Sequence, residues 1–305
     1  MNLILALAPA LFVTFWSSGF VAAKLAVPFA EPCTFLFLRF TIVLVALMPF
    51  VLFAKTRPSG PEARATLVAG VLMQGLYLSC VVWSIYLGLP AGVVALTVSL
   101  HPITTALTSR AVLGEHISAL GWLGFVLGVL GALLVLWPKL DLETGSVPSS
   151  ALILCVLALP FMSSGTVFQR RFAPNVAPVA ATCIQHVGAV IVTGLGALAF
   201  ETRVIDWAPL MIGSLIWQSV VVSIGAVVLL LLMLRARGAS RASSVFFLVP
   251  AGSAALTYVF LGEDLKPVQL LGMVVVTGAV VLIGLGSRIA HAARPSELRM
   301  VTEKE

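Results

Sequence analysis

The sequence predicts an all-α integral membrane protein, with ten transmembrane helices built as two inverted five-helix repeats (5+5). Three observations predict it. The 305-residue chain is 60% hydrophobic and only 10% charged, well below the roughly 25% charge of soluble domains. Its Lys and Arg residues fall unequally between alternate connections. And the phrase LGEHISALGWLG at 113–124 returns as LGEDLKPVQLLG at 261–272.

A helix that crosses a bilayer needs about 20 mostly apolar residues. The first such run, 3–23, has the Ala6, Ala8 and Ala10 spacing of a cleavage site. No Lys or Arg precedes it and it is long enough to span, so it is expected to remain as the first helix. The next runs are 33–54, which holds Arg39, then 65–87, 90–112 and 119–137. A second set follows at 149–169, 179–200, 209–234, 242–261 and 267–286. The domains are therefore expected at 1–140 and 141–287, with a polar tail over 288–305.

Orientation follows from the 18 Lys and Arg residues. With the N-terminus in the cytoplasm, the inner segments hold Lys55, Arg57, Arg64, Arg110, Arg170, Arg171, Arg235, Arg237, Arg241, Arg288, Arg294, Arg299 and Lys304. The outer ones hold only Lys24, Lys139, Arg203 and Lys266, and Arg39 lies within a span. The bias places both termini in the cytoplasm of a multi-pass protein of the cell (inner) membrane. The net charge of +6 forms no stripe, so no nucleic-acid partner is expected. Cys33, Cys80, Cys155 and Cys183 lie in or beside apolar runs without CxxC spacing, and read as small apolar helix residues.

The repeated phrase is part of a longer correspondence. At an offset of 148, Pro102 meets Pro250 and Leu113-Gly114-Glu115 meets Leu261-Gly262-Glu263. At 146, Ser17-Ser18-Gly19 meets Ser163-Ser164-Gly165, Lys24 meets Arg170 and Pro32 meets Pro178. At 144, Gln74 meets Gln218 and Ser79 meets Ser223. Five spans is an odd number, so the second half enters the membrane from the opposite side, related by a two-fold axis in the membrane plane. Gly114 is expected to cap a helix end, with Glu115 near the next helix's positive N-terminus.

FWSSGFVAAKLA (15–26), EPCTFLFLRF (31–40) and LHPITTALTSRAVLGEHISALGWLG (100–124), echoed by SSGTVFQRRF (163–172) and LVPAGSAALTYVFLGEDLKPVQLLG (248–272), resemble the EamA-like family of the drug/metabolite transporter superfamily. The resemblance covers nearly the whole chain. It implies a ten-helix basket whose cavity is formed by the first four helices of each half, with the fifth and tenth at the periphery. It also implies export or exchange of amino acids, metabolites or toxic compounds.

The candidate substrate-binding residues are Trp16, Arg39, Gln74, Tyr77, His101, Phe161, Gln185 and Gln218. A charge within a span is costly and leans functional. Arg39 is either an anchor for a substrate carboxylate or a residue paired with Glu31 or backbone carbonyls. Its repeat mate is the uncharged Gln185, with His186 beside it a weaker candidate. Thr97, His101, Thr104 and Thr108 share one helical face. The threonines could simply bond their own backbone, but His101 precedes Pro102, which is expected to kink the fourth span. Gln74 and Tyr77 share a face of the third span, mirrored by Gln218. Their alternative role is helix-to-helix hydrogen bonding. Trp16 forms an aromatic stripe with Phe12 and Phe20, and Phe161 takes the corresponding place in the second half. Lipid-facing packing is the competing reading, and the family resemblance favours Trp16 and Tyr77 as cavity walls. Gly121, Gly124, Gly128 and Gly131 give the fifth span a close-packing face for another helix or a second copy. The oligomeric state is open, and a monomer is compatible with the sequence.

No Walker A sequence is present and no Asp or Glu lies mid-span. An ATP-driven pump of that kind and a carboxylate proton relay are thus not expected. No cofactor and no metal site are expected either. The sequence points to an alternating-access carrier exporting small amphipathic metabolites such as amino acids. Alternatives are an importer or exchanger of a small organic solute, a channel, or a membrane-embedded enzyme, which would want paired carboxylates at depth.

Overall fold

The structure is a computed structural model that describes residues 2–53, 57–89, 94, 97–98, 100–115, 117–137, 148–237, 242, 244–261 and 266–292. In chain order, α1 is Asn2–Ala26 and α2 is Pro32–Leu52. The third rod, α3, runs as α-helix over Gly60–Gly70, as π-helix over Val71–Leu76 and as α-helix again over Tyr77–Tyr86. Then come α4 (His101–Leu113), α5 (Ala119–Leu136), α6 (Ser149–Phe172) and α7 (Pro178–Phe200). The rod α8 joins Pro209–Trp217 to Val227–Arg237 through the π-helical Gln218–Ala226. A 3-10 turn at Val245–Phe247 leads into α9 (Leu248–Leu261), and α10 is Pro267–Ala292. Among the described residues there is no strand, only an isolated antiparallel bridge between Ala30 and Ile205.

Among the described residues, six stretches are long and apolar enough to cross a membrane: Pro32–Leu52, Gly60–Tyr86, Ser149–Phe172, Pro178–Phe200, Pro209–Ala236 and Pro267–Gly286. Leu7–Ala23 and Ala119–Val135 are shorter apolar helices. The outward faces are apolar too. Val45, Ile153, Leu195, Val220 and Val274 are each more than half exposed, which suits lipid and not water. The chain is a multi-pass membrane protein. Residues 90–93, 95–96 and 99 of the expected span 90–112 and the side chains at the end of 242–261 lie outside the described residues, as do Gly262, Glu263 and 293–305, while the first residues of the expected tail, 288–292, continue α10.

Local sequence sets the helix ends. Pro32, Pro178 and Pro209 stand in the first turns of α2, α7 and α8, where a missing N–H costs nothing. Ser59 and Glu62 form a reciprocal capping box at the start of α3. Gly114 ends α4 at φ 66, the left-handed cap expected for the first LGE phrase. The start of α5 is capped by Ser118, whose Oγ accepts from the Gly121 N–H at 3.1 Å, while Glu115 reaches Arg170 at 3.8 Å. Pro102 sits in the first turn of α4, after a turn at Leu100 that separates it from the helical residues Thr97 and Val98, so the helical run is interrupted at the proline, where a kink was expected.

The largest apolar cluster joins α1, α3, α6, α8 and α9, and a second joins α2, α7 and α8. Helix α1 packs on α8 and α9, and α6 packs on α3 and α4. Helix α2 packs on α7 and α8, α7 on α3, and α5 along α10. The α1–α2 and α7–α8 connections are knotted together at one end. The Glu201 carboxylate accepts from the Cys33 N–H at 2.6 Å and the Thr34 N–H at 2.7 Å, capping α2. Glu31 in turn accepts from the Arg203 N–H at 2.8 Å and the Thr202 hydroxyl at 2.9 Å.

The α5–α10 contact is close enough to need glycine. A Cβ on Gly272 would lie 2.7 Å from the Val135 nitrogen and 2.8 Å from the Gly131 oxygen. The glycine face of α5 is therefore occupied by α10 of the same chain and not by a second copy. Gly272→Leu is expected to cost about 1–3 kcal/mol by overpacking and to lower the melting temperature of the detergent-purified protein. Gly278→Ala on the same helix, where a Cβ meets nothing within 4 Å, should leave it unchanged.

Candidate functional site

Arg39 lies on the face of α2 turned to α7 and the π-helical part of α8, and is 4% exposed. Its Nη1 donates to Gln218 Oε1 at 2.6 Å and its Nε donates to Ser223 Oγ at 2.7 Å. The Ser219 hydroxyl donates to the Arg39 carbonyl oxygen at 3.3 Å. The guanidinium carbon sits 5.5 Å from the centroid of the Phe40 ring. The Glu31 pairing weighed from sequence is not made, since Glu31 is held by Thr202 and Arg203. Among the described residues, no carboxylate lies within ion-pair distance of Arg39. A charge in apolar surroundings is thus held only by neutral oxygens, a cradle that leaves its positive charge uncompensated.

Both π-helical segments contribute to this region. π-Turns are rare in proteins and frequent at functional sites. Here one carries Gln74 and the other Gln218, Ser219 and Ser223. Tyr77, one residue past the first π segment, is buried and within electrostatic reach of Arg39, as is His186 on α7. The His186 ring stands edge-on to Phe40 at 5.3 Å. Helix α7 comes this close to α3 because residue 70 is glycine: a Cβ there would fall 2.3 Å from the Gln185 backbone.

A second group gathers around Phe246. Trp16 lies 5.1 Å from it, Phe12 5.0 Å and His101 4.8 Å, each near edge-to-face. Trp16 is therefore packed inward, not against lipid. His101 Nε2 bonds the Thr105 hydroxyl at 2.9 Å, and the Thr104 and Thr105 hydroxyls meet Ser163 on α6. Thr104 and Thr108 also bond back to their own helix, as the simpler reading of that stripe expected. Tyr77 shares the large apolar cluster with Trp16 and Phe246. Phe161 only flanks it, partly buried. The side chain of Phe20 lies outside the described residues.

The eight candidates therefore divide. Arg39 and Gln218 touch, with Tyr77 close by, Trp16 and His101 meet through Phe246, and Gln74 is buried on the first π segment with its Oε1 unpaired among the described residues. Gln185 turns away to donate to Gln169 Oε1 at 3.2 Å, and Phe161 joins neither group. Sequence reasoning missed Ser219, Ser223, Gln169 and Phe246. Ser223 had a signal, its repeat match with Ser79. Phe246 had none.

Several buried polar atoms here have no hydrogen-bond partner among the described residues: Gln74 Oε1, Gln185 Oε1, Gln218 Nε2, His101 Nδ1 and His186 Nε2. Each such atom costs about 1–3 kcal/mol, and a polar ligand or water would recover that. The interior thus offers a cation with unmatched amide and imidazole groups around Arg39 and, as a separate group, a nest of aromatic rings around Phe246. Removing an acceptor should expose the strain on the cation. Gln218→Leu, which strips Arg39 of its shorter bond, is expected to cost about 1.5–3 kcal/mol in thermal or denaturant melts. Ser18→Ala, which removes a bond to its own helix at Phe15 and the contact with Trp217 near the surface, should cost less.

Comparison with known proteins agrees with this architecture. The sequence model described as "EamA-like transporter family" matches the chain over residues 2–137 and again over 149–285. An uncharacterized transporter of Bacillus subtilis, YvbV, is 24% identical over 94% of this chain and 94% of its own length. A probable amino-acid metabolite efflux pump of Salmonella typhimurium is 24% identical over 94% of this chain and 96% of its own. A solved structure, described only as "Crystal structure of protein", superposes with a TM-score of 0.77 at 17% identity. It covers 93% of this chain and 97% of that chain, so the fold is shared. With the family's sequence model matching across nearly the whole chain, the protein belongs to the EamA-like transporter family.

Proposed function

We propose that this protein is an alternating-access secondary transporter that exports small amphipathic metabolites, such as amino acids, across the cytoplasmic membrane. Both termini then lie in the cytoplasm, and the substrate binds among Trp16, Arg39, Gln74, Tyr77, His101, Phe161, Gln185 and Gln218. The observation that carries the reading is Arg39. It is buried beside a π-helical segment and held by an amide and a hydroxyl without a carboxylate, so it keeps the positive charge that a substrate carboxylate would meet. The aromatic group around Phe246 supplies a complementary apolar wall.

Three further observations support the ten-helix, 5+5 design that alternating access requires. The family's sequence model matches twice, in segments that fall within the proposed units 1–140 and 141–287. The two π segments fall on the corresponding rods α3 and α8, and carry the matched pair Gln74 and Gln218. And exchanging α1–α5 with α6–α10 converts α1–α8 packing into α6–α3, α1–α9 into α6–α4, and α2–α8 into α7–α3, while α2–α7 and α5–α10 map onto themselves. The resemblance to a probable amino-acid metabolite efflux pump favours export and the substrate class.

Mass-spectrometric profiling of the medium tests the proposal, with cells making equal surface amounts of wild type, Arg39→Gln, His101→Ala or an empty vector. A small set of zwitterionic or carboxylate compounds should accumulate only with wild type. Arg39→Gln should reduce that export roughly ten- to a hundredfold, the value of one hydrogen bond to a charged group. Unchanged export by Arg39→Gln would remove Arg39 from the site. An unchanged medium in every strain would sink export itself.

A further inference from the structure

A pocket of about 380 Å³ opens at the end of α6, beneath the α6–α7 connection and against the end of α8. Its size is within the range of small-molecule sites. Its polar lining is one-sided in charge, with Arg170, Arg235, Asn175 and Gln169 and no carboxylate among the described residues. Each arginine is held by a backbone carbonyl from the facing wall. Arg170 donates to the Leu234 oxygen at 2.8 Å, and Arg235 donates to the Val176 oxygen. A carbonyl fixes a guanidinium without neutralising it. Glu115, 3.8 Å from Arg170 Nε and partly exposed, offsets only part of one charge.

The pocket wall is also tied to the interior through a hydrogen bond. Gln169, 5% exposed, forms part of its wall and spends its amide on the Ala173 oxygen while its Oε1 accepts from Gln185. Ala181, another wall residue, lies one turn before Gln185 on α7. The next residue, His186, lies within electrostatic reach of Arg39. One helix thus runs from a cationic pocket at the surface to a buried cation.

We propose that this pocket is a second anion site on the transport path, which takes the carboxylate of a small amphipathic solute before it reaches Arg39. The proposal rests on the export reading only for what the pocket serves; the anion site itself is tested without transport. Asn175→Cys places a thiol in the pocket wall, and the four native cysteines are buried. The protein in zwitterionic nanodiscs is labelled with an anionic and a cationic methanethiosulfonate, each rate normalised to that of a small free thiol. A pocket lined by one sign of charge raises the local counter-ion concentration about tenfold or more. The anionic reagent should therefore react at least about tenfold faster. Arg235→Gln should bring the ratio toward parity and Arg235→Lys should restore it. Millimolar isocaproate should slow labelling, its uncharged amide should not, and this protection should survive Arg39→Gln. Equal rates for the two reagents would overturn the proposal, as would protection that disappears with Arg39→Gln. It would also be overturned if phosphatidylglycerol in the nanodisc blocks labelling while isocaproate does not, for the pocket would then be a lipid headgroup site.

Discussion

In a hydrocarbon environment every backbone N–H and C=O must find its partner within the chain, and the rest of this structure follows from that constraint. It selects helices, and it makes any departure from the regular ladder expensive enough to need a reason. The two departures over Val71–Leu76 and Gln218–Ala226 both hold glutamines deep in the protein. A π segment widens the helix and shifts the faces that follow it. In α8 this brings residues 218 and 223 to the same guanidinium, five positions apart rather than the three or four of an α-helical face.

The same constraint decides what kind of cradle Arg39 can have. A carboxylate partner would give a strong pair but would also satisfy the charge, leaving little for a ligand. Gln218 and Ser223 fix the guanidinium in place and leave its charge free. Such a cradle is less stable than a salt bridge, and the unmatched amide and imidazole atoms around it add to the deficit. A binding site differs from a core in this respect, because its polar groups wait for a partner that is not part of the chain. The carboxylates near this end of α2 are meanwhile committed to structure. Glu201 caps α2 and Glu31 ties down the α7–α8 connection, so neither competes for Arg39.

Much of this fold was legible because it follows from short-range chemistry. Apolar run lengths gave the helices, and Gly114 gave the end of α4. Arg39 was legible because a charge in an apolar run is conspicuous. Its partners were not, since Gln218 and Ser223 lie 179 and 184 positions away and only packing brings α8 to α2. Glu31 was the natural guess from sequence distance, and it failed because the α7–α8 connection claimed it first. Phe246 could not be singled out at all, as one aromatic residue in a chain with 17 phenylalanines. Pro102 was legible as an interruption of the fourth span, because a residue without an N–H breaks the ladder of the turn before it, and a turn at Leu100 stands there.

The proposed two-fold relation has a consequence for how a substrate would lie. It pairs Arg39 with Gln185 and Gln218 with Gln74, so the cation of one half faces an amide where the other half has two amides. In the first half the contact is made, Arg39 to Gln218. In the second the corresponding groups stay apart: Gln185 turns to Gln169 and Gln74 Oε1 has no partner among the described residues. Two fully equivalent halves would bind a solute lying across the two-fold axis equally well in either of its two opposite directions, which the axis interchanges. A cation on one side breaks that equivalence and gives a carboxylate one preferred end. The backbone can then be nearly symmetric, as exchange between two facing states demands, while the side chains hold the solute in a single orientation throughout.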